Sequence, residues 1–258
     1  MQIGVTLKAA GIVAASLFFF VSAVLSVVLI SGFNARVSPA IPWFVVFLLP
    51  ALFTLTFWFD KRWNIGLRTP LRASGWKLAG FAAASMVASH SVLILEGAWH
   101  GMTRTFEMAP EGVTPLFAMV YWIGVVILMS TASEVSFRGL MQSGLQRVIT
   151  GVWPVILIVS LANTLAHRWD GLLERTIGVF AILVAWGYLR HLSGSLAVTI
   201  ATHIIAIIVW DAILWFRGPW DQSAMSMNDL LLVTFVGLMA FVISLWFARI
   251  IRAEIGSN

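Results

Sequence analysis

The hydrophobic positions of this chain gather into eight runs separated by short polar segments, at residues 9–31, 41–59, 76–95, 114–132, 152–168, 173–190, 194–216 and 229–248. A helix rises about 1.5 Å per residue, so a run such as 9–31 is long enough to cross the roughly 30 Å hydrocarbon core of a bilayer. The pattern predicts an all-α fold: a polytopic membrane helical bundle of about eight transmembrane helices, forming a single integral membrane domain over residues 1–258. The first run is too long for a signal-peptide core and lacks a convincing cleavage site, so it reads as a retained anchor. Pro50 is expected to kink the second helix, because it removes one backbone donor and crowds the preceding turn. No repeat, low-complexity tract or long soluble insertion interrupts the series.

One stretch departs from the lipid-like pattern. Across 133–150, Phe137, Leu140, Met141, Leu145 and Val148 recur at helical spacing beside Ser136, Arg138, Gln142, Gln146 and Arg147. Such an amphipathic segment could continue the fourth span as one long helix, lie in the membrane interface, or be shielded from lipid by its neighbours.

Composition supports the membrane reading. Sixty per cent (60%) of the residues are hydrophobic and 10% charged, and the mean hydropathy of +0.95 lies outside the range of soluble domains. Many of the 13 tryptophans, among them Trp43, Trp58, Trp76, Trp153, Trp169, Trp186 and Trp246, fall near the ends of apolar runs, where indole rings are expected at headgroup level. The absence of cysteine excludes disulfides, thiol nucleophiles and cysteine metal sites. The formal charge of +5 is spread over segments that border the spans, which suits anionic headgroups rather than nucleic acid. With the N-terminus inside, ten basic residues lie on the cytoplasmic side and five (Arg36, Arg104, Arg168, Arg175 and Arg217) on the other. Both termini are therefore expected in the cytoplasm, in a bacterial inner membrane. Membrane lipids and a membrane-associated peptide or protein substrate are the expected partners.

Chemistry concentrates where the fourth run ends. Glu134 and Arg138, at i and i+4, share one helix face and can pair. Ionisable residues in a span usually face the protein interior and mark a site, although a structural ion pair locking two helices is the competing reading. Downstream, His167 closes one apolar run and His203 sits inside another. A reversal near Gly151 would place Glu134 and His167 each about 16 residues from the turn, at similar depth. A carboxylate and two imidazoles in a bundle interior suit either general-base activation of water or coordination of a divalent cation. Asp211, two turns after His203, could join the cavity or lie at the outer interface. His90 is expected to find a partner within the bundle, and His191 reads as interfacial. The loop with Glu96, His100, Glu107 and Glu111 could bind a cation, or form an interfacial lid.

The motif Ser133-Glu134-Val135-Ser136-Phe137-Arg138-Gly139, followed by His167 and then His203 at comparable intervals, resembles the CPBP family. These are the CAAX-protease and bacteriocin-processing, or ABI, intramembrane endopeptidases. The similar core covers about 115–210. The resemblance implies that a Glu and the first His activate a water against a peptide bond, while the second His stabilises the oxyanion. It carries the catalytic roles to Glu134, His167, His203 and Arg138, with Glu134 and His167 acting on water, His203 on the oxyanion or substrate, and Arg138 orienting Glu134. It requires no cofactor and no zinc.

Three positions depart from the family pattern: Ser133 stands where the first Glu belongs, Asn163 where a Phe belongs, and Ile207 where an Asn or Asp belongs. Serine cannot accept a proton near neutral pH. Glu134 points about 100° away around an α-helix, so it replaces the lost base only where the helix rotates or unwinds locally. Asn163 could supply an amide donor, and Ser133 could pair with His167, although no third orienting group is evident. Two readings follow: an intramembrane endopeptidase of the CAAX-protease type, or a catalytically inactive scaffold of the same build that binds a membrane partner or hydrophobic ligand.

Overall fold

The computed structural model of the chain describes residues 2–37, 43–104, 115–166 and 175–257. Its helices follow the hydrophobic runs: α1 (Gln2–Val37), α2 (Trp43–Trp63), α3 (Gly75–Trp99) and α4 (Pro115–Glu134) come first. The chain then passes through a π-helical segment, Val135–Gln142, and one closing turn, α5 (Ser143–Leu145), before α6 (Val152–Ala166), α7 (Thr176–Ser193), α8 (Leu196–Arg217) and α9 (Met227–Ser257). Two short strands, β1 (Thr103–Arg104) and β2 (Trp220–Asp221), pair antiparallel between helix ends. Among the described residues, six helices are long and apolar enough to cross a membrane. The protein is an all-α, polytopic integral membrane bundle. Within it, α2 runs through Pro50 as one helix, and the Pro50 carbonyl accepts from Thr54 Oγ1 at 2.8 Å.

The amphipathic stretch turns out to continue the fourth span and to be shielded by neighbours. Over Met119–Leu145, 61% of the apolar window is buried, against 11–39% in the other five spanning helices. This is the central rod. Phe20 and Val24 of α1, with Val155 and Val159 of α6, pack on Phe137, Met141 and Leu145. Leu52 of α2 meets Leu128 and Ala132, and Leu196 of α8 meets Val135. In lipid, apolar burial by itself does little to choose between such neighbours, because lipid tails are as apolar as leucine. Close packing and polar contacts decide instead.

Small residues supply the close packing. A side chain at Gly80 would overlap the Phe247 ring, and a Cβ at Gly237 would lie 2.7 Å from Ser91 Cβ, so α3 and α9 pack along a seam that only small residues fit. Gly178 lets α7 press on the Leu93 backbone of α3 in the same way. Several buried hydroxyls bond to their own backbones, as Ser91 does to Val87 O (2.9 Å) and Thr56 to Leu52 O (2.7 Å), which satisfies donors that water cannot reach.

Charged groups tie the two ends of the bundle. Asp60 accepts from the Gly66 and Leu67 amides and from Arg68 Nε, at 3.1, 2.9 and 2.8 Å. That folds the basic α2–α3 connection under the α7–α8 turn, where Leu196 N donates to Gly66 O (2.8 Å) and Arg190 Nη2 to Ile65 O (2.8 Å). Gly66 has φ +85°, a backbone state that favours glycine. At the opposite end Glu96 accepts from the amides of Ile177 (2.9 Å) and Gly178 (2.7 Å), closing the N-terminus of α7. The expectation that Glu96 belongs to a cation-binding loop is thereby corrected: it is a buried residue of α3 with both oxygens committed to α7. Glu107 and Glu111 lie outside the described residues. In the α8–α9 connection the Ser223 hydroxyl and amide hold the exposed Asp221 carboxyl below its usual range.

Candidate active site

The site is built on the change of helical winding at Glu134. An α-helix turns by about 100° per residue; the π-helical segment that begins at Val135 winds more slowly, through bonds to the fifth residue along. Within it Val135, Ser136, Phe137, Arg138, Gly139, Met141 and Gln142 are all buried. The wider turn keeps the apolar Phe137 and Met141 in contact with α1 and α6. Meanwhile Glu134, Arg138 and Gln142 all reach α7 or α8. π-turns inside α-helices occur often at functional positions.

Glu134 is completely buried, and its Oε1 accepts from His203 Nδ1 at 3.0 Å. Its Oε2 faces Arg138 Nε at 3.7 Å, an ion pair between two side chains with no exposed surface. The local pairing expected from the i, i+4 spacing is present, but the closer partner of the carboxylate is the imidazole on another helix. Arg138 spends Nη2 on the carbonyl of Leu183 (2.9 Å), and one turn on, Gln142 Nε2 donates to the carbonyl of Gly187 (2.9 Å). Two donors four residues apart thus meet two carbonyls four residues apart, which sets the register of α7 against the central rod. Gly187 also lets α7 pack closely on α6, since a Cβ there would sit 3.0 Å from Ile156 Cγ2.

His203 is held from a second side. The Trp186 ring lies with its centroid 4.1 Å from that of His203, tilted 38°, and is 5% exposed. Reading Trp186 as an interfacial ring is therefore corrected: α7 turns this residue inward, and its position near the end of a run does not reveal that rotation. Thr199, one turn before His203, is fully buried beside Glu134 and donates to Leu196 O at 2.9 Å. Leu183, Gly187 and Thr199 carry no sequence signal of their place in the site. Gln142 was noted only for its polarity, although it extends the stripe from Glu134 through Arg138 by one more turn.

The remaining candidates divide. Ser133 is buried, and its hydroxyl has no hydrogen-bond partner among the described residues. Asn163 is fully buried on α6, near the buried Ser160 and Thr164. His167 lies outside the described residues. Ile207, one turn after His203, is half-buried. Asp211 Oδ2 accepts from Trp122 Nε1 at 3.1 Å, which straps α8 to α4 two turns away from His203. His90 bonds to Met86 O through Nδ1 (2.9 Å) and packs on Trp210, while His191 stacks on Tyr188. Among the described residues, no three His, Asp or Glu side chains are grouped to hold a metal ion.

With this arrangement in view, the comparisons with known proteins carry weight. Residues 114–209, from the start of α4 to the middle of α8, match the family model described as type II CAAX prenyl endopeptidase Rce1-like. The CPBP resemblance drawn from the motif residues holds over this segment, and it includes every position of the candidate site. Over this segment the chain is similar to a family of CAAX-type membrane proteases. No curated protein and no solved structure matches the chain.

Proposed function

We propose that the chain is an intramembrane endopeptidase that hydrolyses a peptide bond of a membrane-associated substrate, with Glu134 and His203 as its proton-handling pair. The observation that carries this reading is the 3.0 Å contact between Glu134 Oε1, which is fully buried, and His203 Nδ1, which is nearly so. A carboxylate only accepts, so Nδ1 bears the hydrogen and Nε2 is the basic nitrogen. In the proposed step, Nε2 takes a proton from water as the water oxygen bonds to the scissile carbonyl carbon. The imidazolium so formed lies against the Glu134 carboxylate. It then returns the proton to the leaving nitrogen as the C–N bond breaks, giving a carboxylic acid and an amine. Arg138 fixes the second oxygen of Glu134, Trp186 fixes the ring plane, and His167 with Asn163 are assigned to the oxyanion. This differs from the family-based expectation, in which His203 served the oxyanion.

The second reading, a catalytically inactive scaffold, is favoured by Ser133 in the first motif position and by the pairing of Glu134 with Arg138. One experiment separates the two. The purified chain, reconstituted in vesicles, is given membrane-tethered peptides, including prenylated ones. Under the protease reading, His203→Ala lowers kcat/KM by about 10²–10⁴, the usual worth of a general base. Glu134→Gln falls by a comparable factor, because an amide facing Nδ1 favours the wrong tautomer. His167→Ala also lowers turnover. An inert native chain whose Ser133→Glu variant cleaves would overturn the protease reading in favour of the scaffold. A bacterial inner-membrane location with both termini in the cytoplasm belongs to the same proposal, supported by the ten basic residues assigned to one side.

A further inference from the structure

On the side of the π-helical segment turned away from His203, α1, α2 and the central rod enclose a groove of about 800 Å³. Its floor is lined by small residues, Gly11 and Ala15 of α1 with Gly139, Ser143 and Gly144 of the rod, and its walls are apolar. Along α1 it runs from Lys8 to Ser22, which at about 1.5 Å per residue is about 21 Å. One leaflet of hydrocarbon is about 15 Å deep, half of the core. The groove thus accommodates a chain one leaflet long with a headgroup beyond it.

The charges are confined to one end. Lys8 and Arg147 line the mouth, both are exposed, and neither is paired with a carboxylate among the described residues. Arg147 is held there by its bond from Nη2 to the Trp63 carbonyl. Trp63, stacked on Phe59 and set edge-on to Trp58, marks this end as headgroup depth, and Lys61 and Arg62 occupy the same last turn of α2. An apolar trench with two unneutralised cations at headgroup level complements one kind of molecule.

We infer that the α1–α2–rod groove is a binding site for an anionic phospholipid, with one acyl chain along α1 and the phosphate between Lys8 and Arg147. The inference is independent of whether the Glu134–His203 site turns over. Two cations at the membrane surface correspond to about a 30-fold preference for an anionic over a zwitterionic lipid.

The test uses the full chain in nanodiscs of phosphatidylcholine with graded phosphatidylglycerol, followed by native mass spectrometry of retained lipid and by thermal unfolding. The native chain should retain phosphatidylglycerol in preference and unfold at higher temperature as its fraction rises. Lys8→Gln with Arg147→Gln should abolish the preference, whereas Arg252→Gln, at the separate α3–α7–α9 groove, should not. Gly11→Trp provides an independent arm. Nothing lies within 4 Å of a Cβ there, so the new side chain starts in open space on the trench floor and should exclude lipid of either headgroup. A native chain that retains both lipids equally overturns the proposal, as does a correctly folded Gly11→Trp variant that retains as much lipid as the native chain.

Discussion

Glu134 and Arg138 have no exposed surface, and their stability rests on being charged together. Removing water from either ion costs several kcal/mol, which is offset only while the partner and the hydrogen bonds to His203 and Leu183 O are in place. Breaking such a pair from one side is more costly than replacing both members. Arg138→Met should destabilise the folded protein by about 3–5 kcal/mol, while Glu134→Gln combined with Arg138→Met should recover most of that loss. Chemical unfolding in detergent, with the two single variants and the double, measures the coupling. Additive losses would show that the two groups do not depend on each other.

Helices in this bundle are matched by shape and by donor spacing. Arg138 and Gln142 reach Leu183 O and Gly187 O in a two-rung ladder that fixes both the rotation and the translation of α7. The π-helical winding brings three polar residues, Glu134, Arg138 and Gln142, to the α7–α8 side while Phe137 and Met141 stay packed on α1 and α6. Where α3 meets α9, Ser74 and Lys77 tie one end to Glu254 of α9 at 2.6 and 2.9 Å, and along the rest of the seam packing of small residues does the matching. Gly237→Leu should therefore separate those helices and lower stability by about 1–3 kcal/mol, the usual cost of overpacking, because even the first added carbon falls 2.7 Å from Ser91 Cβ. Thermal unfolding of the variant in detergent reads this directly. Leu238, which is 61% exposed, is the neighbouring control, where substitution to Ala should change little.

Across the molecule, Glu134 and Arg138 sit in the most buried rod with His203 of α8 against it, and the bundle around it is pinned at both ends by carboxylates. Asp60 gathers the α2–α3 connection beneath the α7–α8 turn, and Glu96 closes α7 at the far end. Since α7 carries Leu183, Trp186 and Gly187, its placement governs the surroundings of His203. Glu96→Gln should weaken the closure of α7 by about 1 kcal/mol, a typical loss for a helix cap and its charge. Hydrogen exchange at the Ile177 and Gly178 amides should accelerate by about fivefold, with exchange in α9 unchanged; unaltered rates at both amides would rule out the cap.

How much of this was legible beforehand depends on what each feature needs. The number, type and approximate bounds of the helices follow from apolar runs ended by charges: α7 and α8, expected at 173–190 and 194–216, span Thr176–Ser193 and Leu196–Arg217. The reversal at Gly151 was visible because its φ of +96° favours glycine. The Glu134–Arg138 pair was visible because it is local to one helix. The contact from Glu134 to His203 crosses 69 positions of sequence. Together with the inward turn of Trp186, the commitment of Glu96 to α7 and the α3–α9 seam, it was decided by tertiary packing alone. A helix that is apolar all round has no hydrophobic face to give away its rotation, and lipid does not favour one rotation over another. Which side chains converge is settled only when small residues, carbonyls and buried charges find one another across the bundle.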